Sequence, residues 1–240
     1  VNANLGIPDY RFIEGYYDAV VSGVPYDNVF LPDVTDTILK KLENGPVFSF
    51  NVTYQNHGPY SADHAYFSDI YVPQESLSSS DWHIINNYLW GVQDTGRRMQ
   101  TMVDAFRTIE EPVVLVFFGD HKPWLGEQSV TYDALGIDIR SGSDEAFRNY
   151  YGTDYLFWAN DAAKSVLGTE LVGQGPEISP CFLMNVLFER CGWGGPGYMK
   201  FTDELRAELP VLHNTGRSLV GGTFTDTLTE AQQSLRDRML

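Results

Sequence analysis

Asp120 and His121 close an unbroken apolar run, Val113-Val114-Leu115-Val116-Phe117-Phe118, with only Gly119 between. A carboxylate and an imidazole side by side can point at one cation. Mixed oxygen and nitrogen donors suit Mn²⁺, Zn²⁺ or iron better than Ca²⁺. His57 closes a second apolar stretch (Val47, Phe48, Phe50, Val52), inside Gln55-Asn56-His57-Gly58-Pro59-Tyr60. In open α/β sheets, ligands bind beyond the carboxyl ends of the strands. Two parallel strands that each deliver a histidine there would open both onto one edge. The plainer readings are a capping Asp120, an exposed loop His121 and a turn residue at His57. Asp63 and His64 lie close to His57, and Lys122 and Trp124 follow the Asp-His pair; none of the four is assigned a role.

The elements that would position these residues follow from periodicity. The continuous, β-branched run before Gly119 reads as a strand buried on both faces, as in the middle of a parallel sheet. Pro46 to Tyr54 reads as another strand, and Tyr155-Leu156-Phe157-Trp158-Ala159 as a third. Residues 1–31 read as a loop rich in aromatics. Asp33 reads as the N-cap of a short helix with Val34, Ile38, Leu39 and Leu42 on its apolar face, ended by Asn44-Gly45. Residues 61–80 read as a polar, Ser-rich loop. A long helix follows over 82–109, where Ile85, Tyr88, Leu89, Val92, Met99, Met102, Val103, Phe106 and Ile109 recur near every 3.6 residues. The methionines read as core filler.

Beyond His121, residues 122–150 read as a loop with short elements, 178–190 and 200–208 as helices, and 210–212 as a last strand. The polar tail from Asn214 reads as ending in a frayed helix near 229–239. The predicted class is α/β, a mostly parallel sheet with helices on both faces, in a single domain over 1–240.

Bulk properties narrow the function. The 240 residues are 43% hydrophobic and 20% charged, which fits a folded chain rather than a disordered one. A formal net charge of −16 repels nucleic acid and anionic membrane surfaces, so no nucleic-acid partner is expected. Cys181 and Cys191 flank a predicted helix, which would hold them roughly 15 Å apart, too far for a disulfide. No apolar run approaches the about 18 residues of a membrane span, and no signal peptide is visible. The chain begins at Val1, so the expectation is a piece of a longer protein.

The order of these features resembles one family. A strand ending in Asn56-His57-Gly58-Pro59-Tyr60, then a long helix, then a strand ending in Gly119-Asp120-His121, resembles the carboxyl-terminal half of the lipoteichoic-acid-synthase-like phosphoglycerol transferases. These belong to the sulfatase branch of the alkaline phosphatase superfamily. The similarity runs from about Tyr16 to about His213, with the aromatic strand up to Asn160 and Ile178-Ser179-Pro180 at a helix start. The resemblance implies that Asp120 and His121 are two ligands of a divalent cation, manganese first, with magnesium and zinc as alternatives. It implies that His57 contacts the substrate phosphate. It implies phosphoryl-group transfer from a lipid such as phosphatidylglycerol, or action on a glycerol-phosphate polymer, by way of a threonine nucleophile. It also implies a location on the outer face of the cell membrane, anchored by segments outside this chain.

In that family a metal-binding carboxylate and the threonine lie well upstream of the histidine. Glu14, Thr35 and Thr37 are poor stand-ins: no apolar strand precedes Glu14, and both threonines fall within a short helix. The expectation is therefore a fragment without its nucleophile, inactive alone. A sulfatase or phosphodiesterase of the same superfamily is the alternative. A second alternative is a non-catalytic glycan-binding module using Trp82, Trp124 or Trp193, since Trp90 and Trp158 sit in apolar periodic segments.

Overall fold

The computed structural model describes residues 20–21 and 24–239 of the chain; Glu14 and most of the expected opening loop lie outside them. The chain forms two compact units. One comprises Val1–Ile109 with Pro123–Asp138, the other Glu110–Lys122 with Ile139–Leu240.

In the first unit, strands β1 (Val20–Val21) and β2 (Val24–Pro25) form a small antiparallel pair. Helices α1 (Asp27–Leu42), α2 (Ser79–Arg107) and the short α3 (Thr131–Ala134) follow. The predicted long helix is present, starting three residues early because Ser78 caps it by accepting from the Asp81 amide. Its apolar stripe buries Ile84, Ile85, Met102 and Phe106, so Met102 is core filler as expected. Its polar side holds the loop before it. Asn87 accepts from the Tyr66 amide (2.7 Å) and donates to the Ser61 and His64 carbonyls. Asn86 accepts from the Tyr71 and Val72 amides. A polar loop is ordered here by two buried amides rather than by apolar burial.

Two expectations for this unit fail. Asp33 is not an N-cap: α1 begins at Asp27, carries Pro32 and Asp33 inside it, and follows Tyr26, whose side chain makes no capping bond. The early start is held by tertiary bonds to Asp27, which local sequence does not announce. Pro46–Tyr54 is not a strand either. Phe48, Phe50 and Val52 are exposed, and the stretch joins no ladder among the described residues. Its composition suits a sheet, but no described strand lies beside it.

In the second unit, β3 (Val114–Phe118) pairs with β4 (Tyr155–Ala159) from Val114↔Ala159 to Phe118↔Tyr155. Helices α4 (Asp144–Tyr151), α5 (Asp161–Leu167), α6 (Leu183–Cys191) and α7 (Gly197–Glu208) flank them in sequence, followed by β5 (Val211–Leu212), β6 (Ser218–Val220), β7 (Thr223–Thr225) and α8 (Glu230–Asp237). Phe182, Leu205 and Leu209 are fully buried and anchor one core cluster; Phe147, Leu219 and Phe224 form another. Cys181 and Cys191 are free thiols, as their spacing predicted. The β6–β7 hairpin was not anticipated. Its turn is Gly221-Gly222 with φ +57° and +89°, the positive-φ pair that a two-residue turn needs.

The mixed α/β class is as expected, with helices and small sheets. The mostly parallel sheet is not found among the described residues, where every ladder is antiparallel. An apolar run reports burial, not the direction of the neighbouring strand. Burial itself is incomplete here, since Phe117 and Leu156 are exposed. No described helix is long and apolar enough to cross a membrane.

Asn160 ties this unit together. Fully buried at the end of β4, its Oδ1 accepts from the Val113 amide (3.0 Å) and from the Ala163 amide (2.9 Å), capping α5. Its Nδ2 donates to the Glu111 carbonyl (2.8 Å). Asn160→Ala removes a cap and leaves buried main-chain groups unpaired, so it is expected to lower unfolding free energy by about 2–3 kcal/mol. Urea unfolding of the two proteins side by side checks this; a loss of under about 0.5 kcal/mol would contradict it.

Candidate functional site

Gly119, Asp120 and His121 leave the end of β3 in the second unit. The Gly119 amide donates to the Asp154 carbonyl (3.2 Å), continuing the ladder one residue past the strand. Thr153 Oγ1 donates to the Gly119 carbonyl (2.6 Å). An added Cβ at Gly119 would stand 3.2 Å from the Thr153 Cβ, so a glycine lets the two segments close up. Thr153 is the residue that sequence reading missed here. Its signal was positional: the β3–β4 register sets 119 opposite 154, but that register is only visible once the pairing is known.

The pair itself converges. Asp120 Oδ1 accepts from the His121 amide (2.8 Å). That leaves Oδ2 turned toward His121 Nε2, 3.7 Å away. Two donors each about 2.1 Å from a shared ion stand roughly 3.0–3.5 Å apart at octahedral or tetrahedral angles. A shift of a few tenths of an ångström therefore lets one cation take both. His121 Nδ1 lies 2.8 Å from the Lys122 carbonyl oxygen. A carbonyl only accepts, so the proton belongs on Nδ1, and Nε2 is the nitrogen presented as a ligand. Metal-binding histidines are commonly held in this way by a main-chain carbonyl. Both side chains are more than half exposed, open enough to admit an ion.

These residues fit a divalent cation as two of its ligands. Among the described residues no group of three or more His, Cys, Asp or Glu side chains forms a complete set. Asp63 and His64 do not join the pair in such a group: His64 Nδ1 meets Ser61 Oγ at 2.9 Å within the loop of the first unit.

His57 belongs to the first unit. Its amide donates to the Tyr54 carbonyl (2.9 Å), making a turn, and its ring stacks on Tyr54 with centroids 4.5 Å apart. Nδ1 lies 2.8 Å from the Gly58 carbonyl oxygen, so again the Nδ1 proton is fixed by a main-chain acceptor. The imidazolium form then adds an Nε2 donor suited to an anionic oxygen. The Tyr60 hydroxyl donates to the Asn56 carbonyl on the other side of the turn. Burial pushes the Tyr60 pKa far up, so it stays a donor. An added Cβ at Gly58 would lie 3.3 Å from both the Trp124 carbonyl oxygen and the Tyr60 ring.

Thr35 is buried in α1, and its hydroxyl donates to the Leu31 carbonyl (2.8 Å). Thr37 lies in the same helix, so both threonines fall within one helix, as the sequence predicted.

Comparison with known proteins sets a class on this arrangement. Residues 4–178 match the Sulfatase family, which takes in His57, Asp120 and His121, and the chain belongs to that family. It is also 28% identical over 170 residues to a protein of Rhizobium meliloti (strain 1021) named for cyclic beta-1,2-glucan modification. That match covers 70% of this chain but only 25% of the relative. No solved structure matches the chain.

The two main-chain acceptors specify a tautomer at both histidines. Long-range proton–nitrogen spectra near pH 8 are expected to show His57 and His121 protonated at Nδ1. Protonation at Nε2 in His121 would contradict the ligand geometry.

Proposed function

We propose that this chain is the carboxyl-terminal part of the catalytic domain of a metal-dependent phosphoglycerol transferase acting on cell-envelope substrates. Membership of the sulfatase family supports an enzyme of this superfamily. The observation that carries the metal part of the reading is the convergence of Asp120 Oδ2 and His121 Nε2. Oxygen and nitrogen donors together suit Mn²⁺ or Zn²⁺; the family resemblance is what puts manganese first, with magnesium and zinc as alternatives.

A divalent cation held by Asp120 and His121 would neutralise charge on phosphoryl oxygens and lower the pKa of a nucleophilic hydroxyl. The residues of this chain do the rest by positioning. The Nδ1–Gly58 bond and the Tyr54 ring orient His57, whose Nε2–H, in the imidazolium form, donates to a non-bridging phosphate oxygen as charge grows there. The nucleophile is a hydroxyl that this chain does not supply. Its oxygen bonds to phosphorus, and the lipid alkoxide leaves and takes up a proton. An acceptor hydroxyl then attacks the phosphorus and releases the enzyme hydroxyl. With no nucleophile of its own, the chain is inactive alone.

The donor on this reading is a phosphatidylglycerol-like headgroup. The name of the Rhizobium meliloti relative supports a glucan hydroxyl as acceptor. The reaction then occurs on the outer face of the cell membrane, with the protein anchored by segments outside this chain.

The test uses the full-length parent protein with phosphatidylglycerol vesicles, a cyclic glucan and Mn²⁺. Phosphoglycerol is expected on the glucan, and His57→Ala is expected to lower kcat/KM by about 10²–10³-fold. Release of free glycerol phosphate with no modified glucan would replace transfer by hydrolysis. Turnover of sulfate esters alone would overturn phosphoryl chemistry.

A further inference from the structure

We propose that Asp27 and Thr95 are positioning residues for His57, acting through the side chains of Gln55 and Asn56. The inference rests on the reading of His57 as the phosphate contact.

Asp27 is fully buried in the first turn of α1. Its Oδ2 accepts from the Thr95 hydroxyl at 2.5 Å. With its hydrogen given to Asp27, the Thr95 oxygen is left to accept. It does so from Asn56 Nδ2, at 2.8 Å. The chain thus has one direction, from Asn56 to Thr95 to Asp27, and it fixes which way the Asn56 amide faces.

A second arm closes a ring. The Asp27 amide donates to Gln55 Oε1 (2.8 Å). Gln55 Nε2 donates to Asp94 Oδ2 (3.2 Å) and to the Gly91 carbonyl (3.3 Å). Asp94 Oδ1 accepts in turn from Arg98 (3.1 Å). Both residues immediately before His57 are therefore clamped by their side chains to α1 and α2. Gly91 supplies the seat: an added Cβ there would lie 2.2 Å from Asn56 Oδ1. That accounts for a glycine inside a long helix, where it costs about 1 kcal/mol against alanine.

Core packing alone does not call for this arrangement. Burying carboxylates is unfavourable unless they are paired. Yet Asp27 and Asp94 are the only buried acidic side chains among the described residues, and both lie on this one ring. Asp27 Oδ1 and Asn56 Oδ1 remain buried with no hydrogen-bond partner. Apolar side chains of the same volume would hold the helices together without these penalties. What they would not do is fix the angle at which the chain enters the His57 turn.

The test is a double-mutant cycle on kcat/KM in the full-length parent protein, using Thr95→Val, His57→Ala and the double variant, with Thr95→Ser as rescue. Thr95→Val keeps the volume of the side chain, and thermal unfolding confirms the folded fraction of each protein. If Thr95 acts through His57, Thr95→Val lowers kcat by tenfold or more with little change in KM. The loss then shrinks to under twofold in the His57→Ala background, and Thr95→Ser restores most of the activity. Equal losses in both backgrounds, or none, would overturn the proposal while leaving His57 its role. No loss on His57→Ala alone would remove the reading of His57, and this inference with it. If Thr95→Val fails to fold, Asn56→Asp, which replaces the donor to Thr95 by an acceptor, takes its place with the same expected pattern and the same overturning results.

Discussion

A polar side chain taken wholly out of water must find partners, and the partners it finds are then held in place. Both units are organised around such a group at the start of a helix. In the first it is Asp27, which begins α1 with its amide and carboxylate both bonded to other segments. In the second it is Asn160, which caps α5 and grips the chain just before β3 at Glu111 and Val113. Each lies one step back from a candidate site residue. Asp27 holds the two residues before His57. Asn160 holds the entry to the strand that ends in Gly119-Asp120-His121. Apolar burial assembles the units; these polar groups set the register and angle at which the site residues emerge.

The two histidines share a second device. Each turns Nδ1 onto the carbonyl of the next residue, which fixes the Nδ1 proton and leaves Nε2 to face outward chemistry. The same local geometry then serves different chemistry according to its surroundings. Beside Asp120 Oδ2, the His121 nitrogen on the proposed reading joins a ligand pair. Stacked on Tyr54, with Nδ1 held by the Gly58 carbonyl, the His57 ring in its imidazolium form suits donation to an anion. The net charge of −16 sharpens the point. An anionic substrate meets repulsion over most of such a surface, so local positive charge from a cation or an imidazolium has to offset it.

How much of this was legible in the sequence depended on how local its cause was. The long helix α2 declared itself through the spacing of Ile85, Met102 and Phe106, and the β3 and β4 strands through their apolar runs. Gly119-Asp120-His121 stood out because glycine, carboxylate and imidazole follow a strand directly. The start of α1 was hidden, since Asp27 is held by Gln55 and Thr95, far away along the chain. Strand direction was hidden as well, because side-chain alternation and burial do not encode it. The β6–β7 hairpin is three residues a side, too short for a periodic signal, and only Gly221-Gly222 marked it. Pro46–Tyr54 has the composition of a strand but lacks a neighbour among the described residues, so composition alone misread it. The clamp around His57 was illegible for the same reason as the start of α1: Asp27, Gln55, Asn56 and Thr95 meet only in three dimensions.

The claim on which the functional account stands is that Asp120 and His121 bind one divalent cation. Thermal unfolding with and without Mn²⁺, on this chain and on Asp120→Ala, tests it most directly. A ligand that binds only the folded state adds about 2.7 kcal/mol of stability when present at 100 times its Kd. The account predicts a midpoint that rises with Mn²⁺ concentration in the unmodified chain and does not rise in the variant. An equal rise in both, or no rise even with the upstream part of the parent protein restored, would contradict it.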